Sequence, residues 1–127
     1  MSQKKVVSTS KAPAAIGPYS QAIQIGNLVF TSGQIGLVPE TAELVGPDTA
    51  TQARQAFSNL QAVAEEAGGS LSNVVKFTLF LTDLSEFGEV NAIMQEFVEQ
   101  PYPARSTVGV ASLPKGARFE VEAILQV

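Results

Sequence analysis

The segment over residues 73–83, NVVKFTLFLTD, alternates between two sets of side chains. Because successive side chains of a strand point to opposite faces of its sheet, the alternation predicts a strand over 74–82. The first face is wholly apolar and carries Val75, Phe77, Leu79 and Leu81. The second is mixed and carries Val74, Lys76, Thr78, Phe80 and Thr82. A fold for this chain must therefore bury one side of this strand completely and the other side in part.

Two segments with helical periodicity flank this strand. Over 49–67, apolar residues recur every three or four positions, Thr49 and Gln52 fit a capping box, and Gly68 follows as a helix stop. A second helix is predicted over about 84–99, and the sequence QPYP ends it. Its apolar stripe contains Phe87, Val90, Ile93, Met94 and Phe97.

Further strands are predicted on both sides of this unit. KKVVS is a candidate first strand, and 21–25 with 28–32 form a hairpin around Gly26-Asn27. The last two strands, 105–111 and 118–126, are predicted to form another hairpin through SLPKGA. The order ββαβαββ, with a possible extra strand at the start, predicts an α+β fold in one domain over 1–127. Its sheet is mostly antiparallel, with two helices packed on one face.

The second face of this sheet needs its own explanation. Two helices cover only one face, whereas Val74, Phe80 and Ile124 are expected on the other. Burial against another subunit would explain these apolar side chains. The alternative is a half-solvated face, which antiparallel sheets tolerate. We expect a homo-oligomer.

The composition limits the possible chemistry and partners. The chain has no Cys and no His, so thiolate catalysis, a histidine base and the commonest metal ligands are excluded. A net charge of −4 disfavours nucleic-acid binding, because phosphate contacts require basic side chains. No apolar run approaches the ~20 residues of a membrane span, and the first 13 residues lack the apolar core of a signal peptide. We expect a soluble, cytoplasmic protein without membrane association.

Arg105 opens the strand in YPARSTVGV, where the residues on its own side are small and neutral. If the last two strands pair in one register, Arg105 and Thr107 share a face with Glu120, Glu122 and Ile124; a slip of one residue would separate them. Arg105 could then be half of an exposed ion pair, worth about 0–1 kcal/mol. The alternative is a receptor for a carboxylate ligand, which an arginine binds through two parallel hydrogen bonds.

Several stretches together resemble the RidA family, also called YjgF. They are APAAIGPYSQA, FTSGQIG, QARQAFSNLQAVAEEAGGSL, VVKFTLFLTDLSEF, VNAIMQEF and YPARSTVGVASLPKGARFEVEAI. The resemblance implies a chorismate-mutase-like homotrimer with a cleft between each pair of subunits. It also implies hydrolysis of 2-iminopropanoate and 2-iminobutanoate to 2-keto acids and ammonia, without cofactor or metal. A 2-iminoacid or 2-keto acid is the expected small-molecule partner.

The same resemblance implies the site residues. Arg105 and Glu120 are the expected catalytic residues. The expected substrate-binding residues are Arg105 again with Tyr19, Ser32, Gly33, Phe87, Asn91 and Thr107. Position 107 is commonly Cys in the family, so Thr107 rules out a required thiol here and leaves the substrate range open.

Each of these residues also has an ordinary interpretation. Tyr19 could anchor a loop, Ser32 and Gly33 could simply end a strand, Phe87 could be core and Asn91 solvated. Glu122 is the rival of Glu120, because only the family motif distinguishes them. Two other functions are compatible with the sequence: an endoribonuclease or translation inhibitor, and a non-catalytic trimeric ligand-binding or chaperone-like protein.

Overall fold

The computed structural model describes residues 3–127, so the first two residues of the predicted domain lie outside it. Within this range the chain forms an α+β fold, as predicted, with one additional short strand, β4. The elements are β1 Lys5–Val7, β2 Ala22–Ile25, β3 Leu28–Thr31, β4 Gln34–Ile35, α1 Thr49–Glu66, β5 Val74–Leu81, α2 Phe87–Met94, β6 Ala104–Gly109 and β7 Phe119–Gln126. Short 3-10 turns cover Leu71–Asn73, Leu84–Glu86 and Pro114–Gly116.

The strands form one mostly antiparallel sheet in the order β1-β2-β3-β7-β5-β6, and β4 also pairs with β7. The predicted hairpin of the last two strands is wrong, because β5 lies between β6 and β7. Strand β5 pairs with β6 in parallel and with β7 antiparallel. The chain leaves β5 through α2 before it enters β6, and such a helical crossover is the ordinary connection between parallel neighbours.

Helix α1 begins and ends with recognisable capping interactions. Asp48 is the N-cap, and its carboxylate accepts from the backbone N–H of Thr51. The predicted capping box from Thr49 is therefore wrong by one residue, and Thr49 is buried instead. At the other end, the N–H of Gly69 donates to Ala64 and Gly68 has a φ of 94°. This is a Schellman ending, which requires the left-handed conformation that glycine adopts easily.

Both helices pack on the same face of the sheet, as predicted, around Phe57. Its ring lies 6.1 Å from that of Phe77, 5.4 Å from Phe97 and 5.6 Å from Phe119, measured between centroids. These contacts join α1, β5, β7 and the segment after α2. The interior is thus a single aromatic and aliphatic core between one helix layer and one sheet.

Helix α2 is shorter than the predicted 84–99. It starts with the 3-10 turn Leu84–Glu86, and its α-helical part ends at Met94. The following N–H groups of Glu96 and Phe97 donate three residues back, to Ile93 and Met94. The apolar period continues past the helix because these tighter turns keep Phe97 and Val98 against the core.

The start of β5 departs from strict alternation. The pairing with β7 shifts between Val74 and Lys76, which leaves Val74 buried on the helix side and Val75 exposed. The predicted faces of Val74 and Val75 are therefore exchanged, because an irregularity of this kind adds a residue to one strand only. From Lys76 onwards the predicted alternation is confirmed.

The sheet face away from the helices is covered by no element of residues 3–127. Cross-strand pairing places Ile23, Phe30 and Ile124 side by side on it, and Phe30 is 44% exposed. We call this surface the open face. None of the described helices is long and apolar enough to cross a membrane.

Candidate functional site

Arg105 lies on the edge strand β6, and residues of α2 hold its guanidinium. Its Nη1 donates to Asn91 Oδ1 at 2.7 Å and lies 3.7 Å from the sulfur of Met94. Its Cζ is 4.9 Å from the centroid of the Phe87 ring, a cation–π contact. Tyr102 and Pro103 complete a groove of about 360 Å³ beside it.

This arrangement leaves most of the hydrogen-bonding capacity of Arg105 free. Within residues 3–127, Asn91 Oδ1 is the only oxygen that accepts from the guanidinium, and neither ion pair involves Arg105. The exposed ion pair considered for Arg105 from the sequence is therefore absent in the described chain. An arginine carries five N–H donors, so a planar, oriented fork stays available for an anionic ligand.

A second group of predicted residues lines another cavity, of about 700 Å³, on the far side of β7. Tyr19, Ser32, Gly33 and Glu120 all face it. Its other walls are largely apolar and include Ile16, Ile35, Leu37 and Pro114. The predicted site residues thus fall into two separate groups in one chain, and we call each group a half-site.

Glu120 lies directly against the backbone of Gly33. A Cβ at position 33 would lie 2.5 Å from Glu120 Oε2 and 2.7 Å from its Cδ, so any larger residue would displace the carboxyl group. Burial raises the pKa of the Glu120 carboxyl above its ordinary value, and the charge of Glu122 raises it further. A carboxylate of this kind is a better proton acceptor than an exposed glutamate.

The loop that carries Tyr19 is fixed by a buried amide. Gln21 accepts from the N–H of Thr9, and its Nε2 donates to the carbonyls of Thr9 and Pro13. Ser32 Oγ donates to the carbonyl of Ser20 at 2.6 Å. Because this bond uses the hydroxyl proton, Ser32 can offer a ligand only its oxygen lone pairs, for example to a water molecule.

The two half-sites do not meet within one chain. Strand pairing puts Arg105 on the same side of the sheet as Phe77, and Glu120 on the opposite side with Phe80. Strand β5 lies between β6, which carries Arg105, and β7, which carries Glu120. The two strands are therefore two strand spacings apart, about 10 Å. The predicted common face of Arg105 and Glu120 is therefore wrong. It depended on a direct hairpin of β6 and β7, which the chain does not form.

The remaining predicted residues divide between the same two groups. Thr107 is paired with Leu79, which puts it on the Arg105 side of β6. Glu122 is paired with Thr78, shares a face with Glu120 and is exposed. The structure thus shows a physical difference between the rival carboxylates, since only Glu120 is partly buried against Gly33.

One feature of the second cavity has no clear sequence signal. Lys115 Nζ donates to the carbonyl of Ala42 at 2.9 Å and so joins two loops across the cavity wall. Both residues have positive φ, 59° and 58°. The segment SLPKGA indicates only a turn, so neither the partner nor the strained conformation could be found from it. No cluster of three potential metal ligands occurs in residues 3–127.

Comparison with known proteins agrees with this fold. The family model described as Endoribonuclease L-PSP matches residues 9–127. The chain is 50% identical to a 2-iminobutanoate/2-iminopropanoate deaminase of Dermatophagoides farinae over 125 residues, 98% of each chain. Its structure matches RidA from a Psychrobacter species with a TM-score of 0.93 and 50% identity, over 97% of this chain and 99% of that one.

A third similar protein is Escherichia coli TdcF, whose structure has bound serine. It matches with a TM-score of 0.92 and 42% identity, over 98% of this chain and 99% of that one. Matches of this extent define an α+β protein of the Endoribonuclease L-PSP class. The chain belongs to the RidA family.

Proposed function

We propose that the protein is a 2-iminoacid deaminase that converts 2-iminopropanoate and 2-iminobutanoate to 2-keto acids and ammonia. The observation that carries the proposal is Arg105, whose guanidinium is oriented by Phe87 and Asn91 and has no carboxylate partner in residues 3–127. A relative with 50% identity has the deaminase name.

The proposed chemistry uses one residue of each half-site. Arg105 binds the carboxylate of the iminoacid and fixes the C=N carbon in place. Glu120 accepts a proton from a water molecule as the water oxygen bonds to the carbon of the protonated imine. The C=N electron pair moves to the nitrogen, which gives a tetrahedral amino alcohol. Glu120 then gives its proton to the nitrogen, and the C–N bond breaks with its electron pair on the departing ammonia. The hydroxyl group loses its proton to Glu120 or to water as the C=O bond of the keto acid forms. Water is the only co-reactant, so this sequence needs no cofactor.

A complete site in this proposal requires two subunits. Arg105 sits on an exposed edge strand, while the cavity of Glu120 opens on the other side of the sheet. If β6 of one subunit lies beside the open face of the next, the Arg105 of the first reaches the Glu120 cavity of the second. Repeating this contact around a threefold axis gives a closed, chorismate-mutase-like homotrimer that buries the apolar side chains of the open face.

Thr107 is proposed to line the site through its backbone and methyl group. It lies two residues from Arg105 on the same side of β6, so it can border the bound carboxylate. Tyr19 and Gly33, which are also expected substrate-binding residues, belong to the opposing half-site. The cytoplasmic location remains a prediction from the sequence.

The family description as an endoribonuclease supports a second candidate function, cleavage of RNA. Two observations favour the deaminase instead. The chain has a net charge of −4, and the carboxylates of Glu120 and Glu122 stand on the same face. A polyanionic strand would be repelled there, whereas a small monocarboxylate needs only Arg105.

The direct test is ammonia release from 2-iminopropanoate and 2-iminobutanoate generated freshly in the assay. We expect rapid release by the natural protein and loss of that activity in Arg105→Ala. Arg54→Ala is the matched control, because it removes an exposed arginine whose ion pair with Glu96 includes no residue that lines either half-site. If the natural protein does not accelerate release, the deaminase proposal fails. RNA cleavage or ligand binding without turnover would then identify which alternative replaces it.

A further inference from the structure

A polar cluster joins the two half-sites inside one subunit. It consists of Thr49, Gln52, Glu86 and Arg118, and we call it the Arg118 clamp. Arg118 Nη2 donates to Glu86 Oε1 at 2.7 Å, and Arg118 Nε donates to Thr49 Oγ1 at 2.8 Å. Thr49 Oγ1 donates in turn to Glu86 Oε1, also at 2.8 Å. These three side chains therefore form a closed ring of hydrogen bonds.

The backbone of Arg118 is fixed as well. Its N–H donates to Oε1 of the buried Gln52 at 2.8 Å, and Gln52 Nε2 donates to the carbonyl of Gly46. Arg118 stands just before β7 and two residues ahead of Glu120. Its side chain thus starts from a rigid point between the sheet and the first turn of α1.

The other end of the clamp is the start of α2. Glu86 is the N-cap of this helix, but its side chain makes no capping hydrogen bond. Its carboxylate is directed to Arg118 and Thr49 instead. The start of α2 is therefore tied to the rest of the fold by a tertiary ion pair, while Asp83 caps the preceding 3-10 turn.

The start of α2 also carries the residues that orient Arg105. Phe87 directly follows Glu86 and lies under the guanidinium, and Asn91, one turn later, accepts from it. A shift or rotation of the first turn would move both contacts together. The path from Arg118 to Arg105 consists of one ion pair, one peptide bond and one cation–π contact.

We infer that Arg118 is a positioning residue that, through Glu86 and Phe87, sets the orientation of the Arg105 guanidinium. It touches no ligand in this scheme, so its loss should weaken carboxylate binding without altering the proton transfer at Glu120. The kinetic consequence rests on the proposed deaminase function; the orientation of Arg105 does not.

The first measurement needs no substrate. The Phe87 ring shifts the NMR resonance of the nearby Arg105 side chain through its ring current, so this resonance reports their geometry. We expect Arg118→Met to move the Arg105 Nε–H resonance and Arg118→Lys to restore part of the shift. Arg54→Met is the matched control, because it removes the ion pair to Glu96, which lies beyond the other end of α2, and it should leave the resonance unchanged.

The second measurement separates binding from turnover. In Arg118→Met we expect KM for 2-iminopropanoate to rise about tenfold while kcat stays within about twofold, because misplacing a binding group costs affinity. Glu86→Gln keeps an acceptor oxygen and removes the charge. It should therefore change the Arg105 resonance and KM in the same direction as Arg118→Met, but by a smaller amount. It also serves as the test variant if Arg118→Met does not fold.

The outcomes are distinct. An unchanged Arg105 resonance in folded Arg118→Met or Glu86→Gln overturns the inference, whatever the enzymatic activity. Equal shifts in Arg118→Met and Arg54→Met also overturn it, because the effect would then follow from any loosening of α2. A shifted resonance in a protein whose natural form releases no ammonia supports the positioning role and refutes the deaminase function alone.

Discussion

Arg105 and Glu120 project from opposite faces of the sheet, with β5 between their strands. Each is supported by its own neighbours, Arg105 by Phe87 and Asn91, and Glu120 by Gly33. One substrate cannot contact both residues of the same chain. If both act on the same iminoacid, the active site must be shared between subunits, and this has consequences that can be measured.

Mixing two inactive variants should restore activity. In a mixed trimer of Arg105→Ala and Glu120→Gln subunits, one of the three interfaces combines the intact Arg105 of one chain with the intact Glu120 of the other. Random equal mixing makes about three quarters of the trimers mixed, and each mixed trimer has one intact site out of three. Recovery should therefore reach about one quarter of the natural activity. The measurement is ammonia release after the two variants are unfolded and refolded together.

Two controls belong to this mixing experiment. Each variant refolded alone should stay inactive, and natural protein taken through the same procedure should regain its activity. If natural protein recovers and the mixture does not, the two residues do not act on one substrate across an interface. The shared-site proposal would then be wrong even if both residues matter.

The open face should mediate assembly. Phe30 lies near its centre, between Ile23 and Ile124, and is 44% exposed in the single chain. We expect light scattering to give three times the chain mass for the natural protein, and a smaller species for Phe30→Asp, because a charge would be buried at the contact. Ser58→Asp, at an exposed position of α1, should remain trimeric. A natural protein that is monomeric at micromolar concentration would contradict this prediction.

The fold was largely predictable because its elements follow local rules. The alternation in 74–82 and the apolar stripes of the two helices depend only on which side chains face a common core. Pairing between distant strands does not follow from such patterns. The apolar face of β7 can be buried whether β7 pairs directly with β6 or with an intervening β5. The order of the last strands therefore could not be predicted from the sequence pattern.

The site shows the same limit. The motifs around Arg105 and Glu120 predict the residue types that a carboxylate ligand and a water molecule need. Their distribution over two faces depends on strand order, and no local pattern encodes it. The contact of Gly33 with Glu120 and the ring of Thr49, Glu86 and Arg118 join residues 32 to 87 positions apart, so single segments carry no signal for them.

Stability and activity should depend on pH through Glu120. Its pKa is raised above 4.5 by burial and by Glu122, so the folded protein keeps the proton at pH values where the unfolded chain has lost it. Stability contributed by protonated Glu120 is therefore lost as pH rises from about 4.5 through the raised pKa. Glu120→Gln should unfold at the same temperature as natural protein near pH 4 and at a higher one near pH 8.

The pKa of Glu120 should also determine how the deaminase activity falls at low pH. The carboxylate form is the proton acceptor, so kcat/KM should rise with pH around a midpoint above 4.5. Glu122→Gln removes the neighbouring charge and should move this midpoint to lower pH without abolishing turnover. If Glu122→Gln abolishes turnover and Glu120→Gln does not, the roles of the two carboxylates must be exchanged.

Gly33→Ala should impair catalysis while the fold persists. The added methyl group would lie 2.5 Å from Glu120 Oε2, and the carboxyl group, at the end of a side chain, can move aside. A displacement of this size should lower kcat by about 10- to 100-fold. Gly88→Ala is the control, because a Cβ there meets no atom within 4 Å, and its activity should equal that of the natural protein. Equal activity of both variants would contradict a role for the Glu120 position.

The two central residues should fail in different ways. Arg105→Lys keeps the charge but loses the planar fork, so the binding of a non-reactive 2-keto acid should weaken. Loss of a charge-assisted hydrogen bond typically costs about 1.5–3 kcal/mol, which is roughly ten- to a hundredfold in affinity. Calorimetry with pyruvate measures this effect directly. Pyruvate binding equal to that of natural protein would show that Arg105 is an ordinary edge arginine.

Glu120→Gln should retain pyruvate binding and lose turnover. The amide keeps the shape of the side chain and one acceptor oxygen, but it cannot take the proton of the attacking water. Turnover should fall by about 10²- to 10⁴-fold, which is the usual contribution of a general base. Ammonia release measured beside the calorimetry distinguishes the two effects in one preparation. Normal turnover in Glu120→Gln would exclude Glu120 as the base, and Glu122, two residues further along the same face, would be the next residue to replace.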